Sequence, residues 1–70
     1  MTYIAAHMAG TVWRMLIEVG EEVKAGQEVV ILESMKMEIP IQVEKSGTVR
    51  TIVKQEGEFV NEGDILLELD

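Results

Sequence analysis

The sequence predicts an all-β fold, a pseudo-two-fold sandwich or flattened barrel built from short strands. Three observations indicate it. The chain resembles itself at an offset of 37 residues, glycines recur every six to ten residues within each half, and the runs between them are rich in valine and isoleucine. No window carries the long 3.6-residue apolar stripe that is typical of a helix.

The repeat aligns residues 10–33 with residues 47–70, and eight of the 24 aligned positions are identical. All six glycines fall in aligned pairs, namely Gly10/Gly47, Gly20/Gly57 and Gly26/Gly63. Because glycine adopts positive φ at little steric cost, we expect the chain to turn at these positions. Each half is therefore interpreted as strand, turn, short strand, turn, strand.

The β-rich runs, taken in order, are residues 12–17 and 28–33 in the first half and residues 49–53 and 65–69 in the second. All four contain valine or isoleucine, residue types that favour strands. Two similar halves of about four short strands each then account for the whole chain, which we assign to one domain, residues 1–70.

The two corners between these runs are residues 20–26 and 57–63. Each corner contains one valine, Val23 or Val60, which we expect to point inward. Glu21 and Glu58 occupy the same corner position in the two halves. This symmetry favours a structural role at the corner over a catalytic one.

Three other side chains receive structural interpretations. Trp13 and Phe59 are expected in the core, as is usual for large aromatic residues. His7 is the single histidine of the chain, with no acid or thiol partner nearby in the sequence, so no catalytic role is predicted for it.

Composition and charge exclude several classes of function. The chain has no cysteine, which excludes disulfides, thiol catalysis and thiolate metal sites, and we predict no metal site. The net charge is −7, so the surface would repel nucleic-acid phosphates. No signal peptide or membrane-length apolar run is found, so we expect a cytoplasmic protein that binds no membrane. We also expect it to be a monomer and, because of its charge, to bind no nucleic acid.

The link between the two halves, residues 34–46, is the most informative segment. Glu33 closes the first half and aligns with Asp70, the last residue. A two-fold axis would therefore place the start of the link at the end of the domain away from the chain termini. Whatever residues 34–38 display is expected to face away from those termini.

A tight hairpin turn is predicted in this link, with Met35 and Lys36 at its centre, because β-rich runs flank it on both sides. The turn lacks the Asn-Gly or Gly-Gly pair usual in such hairpins. A primed turn here would force two non-glycine residues to positive φ, which costs free energy and hints at function. Pro40 cannot donate to a strand ladder, so its strand is expected at a sheet edge or at a bulge.

At these residues the sequence resembles the biotinyl domains of the biotin/lipoyl attachment family. The segment E-S-M-K-M-E, followed by I-P-I, is similar to their attachment motif, in which a lysine lies between two methionines. The repeated glycine corners and the segment M-A-G-T-V-W-R near the start match as well. The resemblance covers essentially the whole chain. The chain departs from the usual motif at His7, where many members have proline, and at Ser34, where they often have alanine.

The resemblance implies a flattened barrel of two four-stranded antiparallel sheets. It also implies that Lys36 is the residue to which a biotin protein ligase attaches biotin covalently. The attached biotin would carry carboxyl groups from a biotin carboxylase to a carboxyltransferase, as in acyl-CoA carboxylases. The chain itself would be a carrier without catalytic activity. Contact with the ligase is expected for the residues that flank the lysine, which are Glu33, Ser34, Met35, Met37 and Glu38.

Three alternatives remain open at this point. A lipoyl carrier would share the fold, but that family usually shows Asp-Lys-Ala around its lysine, so the motif favours biotin over lipoate. An unmodified structural barrel-sandwich module is the second alternative. An enzyme in its own right is the third, and we see no catalytic constellation in the sequence that would support it.

Overall fold

The computed structural model describes residues 2–70 and contains eight β-strands in this part of the chain. They are β1 (Thr2–Ala5), β2 (Gly10–Met15), β3 (Glu22–Val23), β4 (Glu28–Ser34), β5 (Met37–Gln42), β6 (Gly47–Ile52), β7 (Phe59–Val60) and β8 (Ile65–Leu69). The all-β prediction is confirmed. The strand predicted at 65–69 is observed with those bounds, whereas β2 and β6 begin two residues before the predicted runs, at Gly10 and Gly47.

The strands form two four-stranded antiparallel sheets, in the orders β1-β8-β6-β3 and β5-β4-β2-β7. We call these the terminal sheet and the hairpin sheet. Shifting the chain by 37 residues carries β2, β3 and β4 onto β6, β7 and β8, and β1 onto the second part of β5. The two sheet orders therefore transform into each other, which confirms the predicted pseudo-two-fold arrangement. Each sheet contains two strands from each half of the chain.

One apolar core lies between the two sheets. Val12 and Val49, which are related by the repeat, are each 1% exposed. Val23 and Val60 are also buried, so the prediction that each corner carries one inward valine is confirmed. The other buried side chains are Ile4, Ala6, Ile17, Val29, Val30, Leu32, Ile41, Val43, Leu66, Leu67 and Leu69.

The prediction that Trp13 and Phe59 lie in the core is wrong. Trp13 is 39% exposed and Phe59 is 61% exposed. Successive side chains of a strand point to opposite faces, and the inward positions are already taken by the neighbouring Val12 and Val60. Both aromatic side chains therefore lie on the outer face of the hairpin sheet.

The corners are held by equivalent hydrogen bonds in the two halves. The N–H of Glu18 donates to Glu21 Oε1 at 3.1 Å, and the N–H of Gln55 donates to Glu58 Oε2 at 2.6 Å. These bonds satisfy backbone donors that the turn leaves without a ladder partner. The predicted corner role of Glu21 and Glu58 is confirmed.

Main-chain hydrogen bonds also join the corners to the opposite half. Gly20 N–H donates to Val49 O and Gly57 N–H donates to Val12 O, both at 2.8 Å. Each corner is thus bonded to a strand from the other repeat, which locks the two halves together.

Within residues 2–70, no helix has the length and apolar character that crossing a membrane requires.

Candidate functional site: a lysine at a hairpin tip

The most unusual backbone of the described chain is the turn between β4 and β5. The ladder between these strands ends at the pair Ser34 and Met37, which leaves a two-residue loop of Met35 and Lys36. Met35 has a φ of 53° and Lys36 a φ of 66°. Two consecutive left-handed residues are the signature of a type I′ turn. The predicted tight turn centred on Met35 and Lys36 is confirmed, and it is of the primed type.

The left-handed backbone of this turn costs conformational free energy at non-glycine residues. A side chain beyond glycine in the left-handed region costs about 1–2 kcal/mol per residue. Asn-Gly would avoid most of that cost, because both residue types tolerate positive φ. The sequence instead places two long side chains there. Strain of this kind is common where a residue must be presented in one geometry.

The strands beneath the turn fix its position. Leu32 of β4 and Ile41 of β5 have no exposed surface, so both arms of the hairpin are anchored in the core. The edge position of β5 suits Pro40, which has no N–H to donate. The prediction of an edge strand at Pro40 is confirmed. The hairpin is therefore a firm support on which the tip residues are displayed.

Gly10 of β2 brings the hairpin close to its neighbouring strand. A Cβ atom at Gly10 would lie 2.8 Å from the carbonyl oxygen of Glu33, and a Cβ at Gly47 would lie 2.9 Å from the carbonyl oxygen of Asp70. The prediction that the chain turns at these two glycines is wrong. They are the first residues of β2 and β6, and they serve the close approach of a neighbouring backbone. Both glycines are followed directly by Thr-Val at the start of a β-rich run, which was the signal that could have identified this role.

The tip itself points into solvent. Met35 is 91% exposed and Met37 is 59% exposed, and Lys36 between them is exposed as well. Within residues 2–70, the Lys36 side chain makes no hydrogen bond and no ion pair. Its amine is therefore accessible to a reagent that approaches the tip from outside. An exposed primary amine on a flexible stem fits a group that is joined to it as an amide.

Two carboxylates flank the tip on the outer face. Glu33 and Glu38 are directly opposite each other in the β4–β5 ladder, and both are exposed. Like charges in this position destabilise a sheet. Ser34, one residue closer to the tip, is partly buried. The structure thus brings together all the residues that the sequence singled out around Lys36.

The remaining candidate residues lie elsewhere. His7 is exposed in the segment between β1 and β2, and among residues 2–70 no group of three or more His, Asp or Glu residues is arranged to hold a metal ion. Thr2 pairs with Leu69 in the terminal sheet, and the Asp70 N–H donates to Thr48 O. The hairpin belongs to the other sheet, as the pseudo-two-fold requires.

Comparison with known proteins gives consistent matches over almost the entire chain. The biotin/lipoyl family model, described as "Biotin-requiring enzyme", matches residues 2–69. A biotin/lipoyl attachment protein of Bacillus subtilis is 54% identical over 66 residues, which cover 94% of this chain and 90% of that protein. A pyruvate carboxylase of the same organism is 42% identical over 69 residues, which cover 99% of this chain and 6% of that protein.

Among solved structures, the urea carboxylase of Kluyveromyces lactis matches with a TM-score of 0.92 and 32% sequence identity. The match covers 99% of this chain and 6% of that chain. This chain thus spans nearly all of a small relative and a small part of two large ones. The sequence matches, the shared fold and the hairpin together show that the chain belongs to the biotin/lipoyl attachment family, the family of biotin-requiring proteins.

Proposed function

We propose that this chain is a biotin carrier and that Lys36 is its attachment residue. One observation carries the proposal above all others. The Lys36 amine is displayed at the tip of a rigid type I′ turn, exposed and without a side-chain partner in residues 2–70. The strained turn fixes the backbone of Lys36 at one place, and the fold needs neither long side chain for its core.

Attachment is an acyl transfer to the Lys36 amine. The neutral Nζ attacks the carbonyl carbon of a biotin carboxyl group that the biotin protein ligase has activated. A C–N bond forms, the activating group leaves with the electrons of its bond to that carbon, and Nζ loses one proton. We assign removal of that proton to the ligase, because no residue in the described part forms a hydrogen bond or ion pair with Nζ.

Lys36 would hold the biotin group through an amide bond, and the group would supply an acceptor for the carboxyl group that passes from a biotin carboxylase to a carboxyltransferase. This chain provides the support and the reach. The hairpin anchors the arm in the core, while the four-carbon lysine stem lets it swing. The carboxylases among the relatives support these partners, since each contains a region similar to this chain. The proposed carrier has no catalytic activity of its own and acts as a cytoplasmic monomer.

The test is the intact mass of the protein after incubation with biotin protein ligase, biotin and ATP. We expect the mass of one biotinyl group to be added to the wild-type chain and none to Lys36→Arg. Lys45→Arg is the matched control, because Lys45 is also an exposed lysine but lies in the segment after β5. Labelling of Lys36→Arg, or an unlabelled wild-type chain, would contradict the proposal.

Lipoate is the second cofactor to test, because the 54% identical relative is a biotin/lipoyl attachment protein. A parallel incubation with lipoate ligase and lipoate resolves this. We expect the methionines on either side of Lys36 to favour biotin, so that biotin is added and lipoate is not. Protein purified from its native source with an unmodified Lys36 would instead favour a structural barrel-sandwich module.

A further inference from the structure

The pseudo-two-fold makes the outer faces of the two sheets directly comparable. Outward positions on the strands that the 37-residue shift relates have counterparts on equivalent strands of the other sheet. If the fold alone decided the residue type, both positions of a pair would be similar. A difference in residue type between paired positions therefore indicates that a requirement other than folding selects the residues on one face.

Such a difference exists at three pairs of outward positions, although at a fourth pair the terminal sheet carries the exposed Tyr3 where the hairpin sheet has Pro40. The hairpin sheet has Trp13, Phe59 and Ile31 at outward positions, with Trp13 and Phe59 exposed and Ile31 partly buried. Their counterparts in the terminal sheet are Arg50, Glu22 and Glu68. Polar residues thus satisfy the fold at all three positions of the terminal sheet. The apolar residues of the hairpin sheet are not needed for the core, and exposed apolar clusters of this kind mark interaction sites.

The apolar residues are continuous with the surface that flanks Lys36. The strand registers place Phe59 opposite Thr11, Thr11 opposite Glu33, and Glu33 opposite Glu38. One row of side chains therefore crosses all four strands and reaches the base of the turn. In the next row, Ile31 lies opposite Pro40.

Trp13 completes the surface. It is two positions along β2 from Thr11, at a bulge in the ladder, and the Arg14 guanidinium carbon lies 4.9 Å from the centre of its ring. We call the set Trp13, Ile31, Phe59, Glu33 and Glu38 the docking face. It combines an apolar patch on the sheet with two carboxylates beside the hairpin.

We propose that the docking face is the surface on which the biotin protein ligase seats this chain. This assignment rests on the proposed function. The amine is carried on a stem of only four carbons, so its acylation requires the ligase to bring its reaction centre to the hairpin tip itself. The sheet surface beside the tip then meets the ligase. An enzyme that receives a lysine already lengthened by its cofactor needs no such close approach.

The charge of the face defines the chemistry of the ligase surface. Glu33 and Glu38 are paired across the strands at a cost to the fold, and a basic partner would relieve that repulsion. The ligase should therefore offer an apolar pocket for the aromatic residues with basic residues along its rim. Buried aromatic anchors usually dominate the affinity of such an interface.

The first test is the kinetics of biotinylation of the full chain with alanine at single positions. We expect Trp13→Ala and Phe59→Ala each to raise the KM for this chain by about tenfold, since truncating an anchor weakens binding while the lysine and its turn stay intact. The rate at saturation should stay near that of the wild type. Tyr3→Ala is the matched control, because Tyr3 is a 57% exposed aromatic on the outer face of the terminal sheet. Its KM should not change.

The second test needs no turnover of the variant. The Lys36→Arg chain cannot accept biotin but retains the docking face, so it should compete with the wild-type chain for the ligase. Adding Phe59→Ala to Lys36→Arg should weaken this competition by about tenfold, and adding Tyr3→Ala should leave it unchanged. Thermal unfolding of each variant shows that the compared proteins are folded.

The outcomes separate this inference from the proposed function. If the wild-type chain is never biotinylated, the proposed function fails. If it is biotinylated and Trp13→Ala and Phe59→Ala behave like Tyr3→Ala, the docking face is overturned while the carrier function stands. Concentration-dependent dimerisation that Phe59→Ala abolishes, with unchanged labelling kinetics, would assign the face to a second copy and also overturn the proposal.

Discussion

At the scale of single residues, the turn at Met35 and Lys36 shows a conflict between stability and display. The left-handed backbone there follows from the two-residue length of the loop, which was predictable because β-rich runs flank it on both sides. The exposure of the two side chains was predictable for the same reason. The protein that recognises those side chains could not be predicted from the turn, since only the family resemblance connects them to a ligase.

Met35→Asn should raise the stability of the fold and lower the rate of biotinylation. Asparagine tolerates a left-handed backbone better than methionine, so we expect the free energy of unfolding to rise by about 0.5–1 kcal/mol. Biotinylation should slow, because the ligase loses a side chain that is 91% exposed at the tip. Urea denaturation and initial labelling rates provide the two measurements.

Met35→Ala is the control for that change. It keeps a Cβ and hence the strain, so it should slow labelling without a gain in stability. Labelling of both variants at the wild-type rate would exclude Met35 from recognition.

At the scale of elements, the strands show what a periodic pattern can and cannot predict. Residues 65–69 were predicted with the observed bounds, because a short apolar run follows the corner glycine Gly63 there. The start of β2 was missed by two residues, because Gly10 was interpreted as a turn and is in fact a point of close backbone approach. The burial of Trp13 and Phe59 was also wrong, since hydrophobicity alone does not say which face of a strand a residue occupies.

Gly10→Ala and Gly47→Ala form a matched pair of tests. In both, the new Cβ would be under 3.0 Å from a backbone oxygen, and something must shift. We expect each to lower the free energy of unfolding by about 1–3 kcal/mol, as overpacking does. Only Gly10→Ala should also slow biotinylation of the folded protein, because it displaces Glu33 at the base of the hairpin. Equal labelling of the two variants, measured under conditions in which both are folded, would argue against this coupling.

At the scale of the whole molecule, the repeat was the most informative part of the sequence. It predicted the two equivalent halves and the inward corner valines, because glycine spacing and β-rich runs recur in register. It did not predict that each sheet takes two strands from each half, since pairing between strands far apart in sequence leaves no local pattern. The asymmetry between the two outer faces emerged only when the structure showed which residues point outward.

The thin core makes the fold sensitive to a single truncation. Leu32 has no exposed surface, and Leu32→Ala should cost about 2–5 kcal/mol. A chain of this size has a total stability of roughly 4–10 kcal/mol, so the variant should be partly unfolded at moderate temperature. Leu16→Ala, at a 45% exposed position, is the control and should change stability by less than about 0.5 kcal/mol. Equal urea midpoints for the two variants would contradict this account of the core.

The exchange of strands between the halves bears on the covalent joint at residues 34–38. A half-length chain could complete neither sheet alone and would need a second half-length chain interlocked with it. Ser34, Met37 and Glu38 of this joint still pair in the β4–β5 ladder, so only Met35 and Lys36 serve purely to connect the two halves. The fold needs neither side chain of this loop for packing, so the chemistry of these residues is free to vary. Lys36 is one of the two.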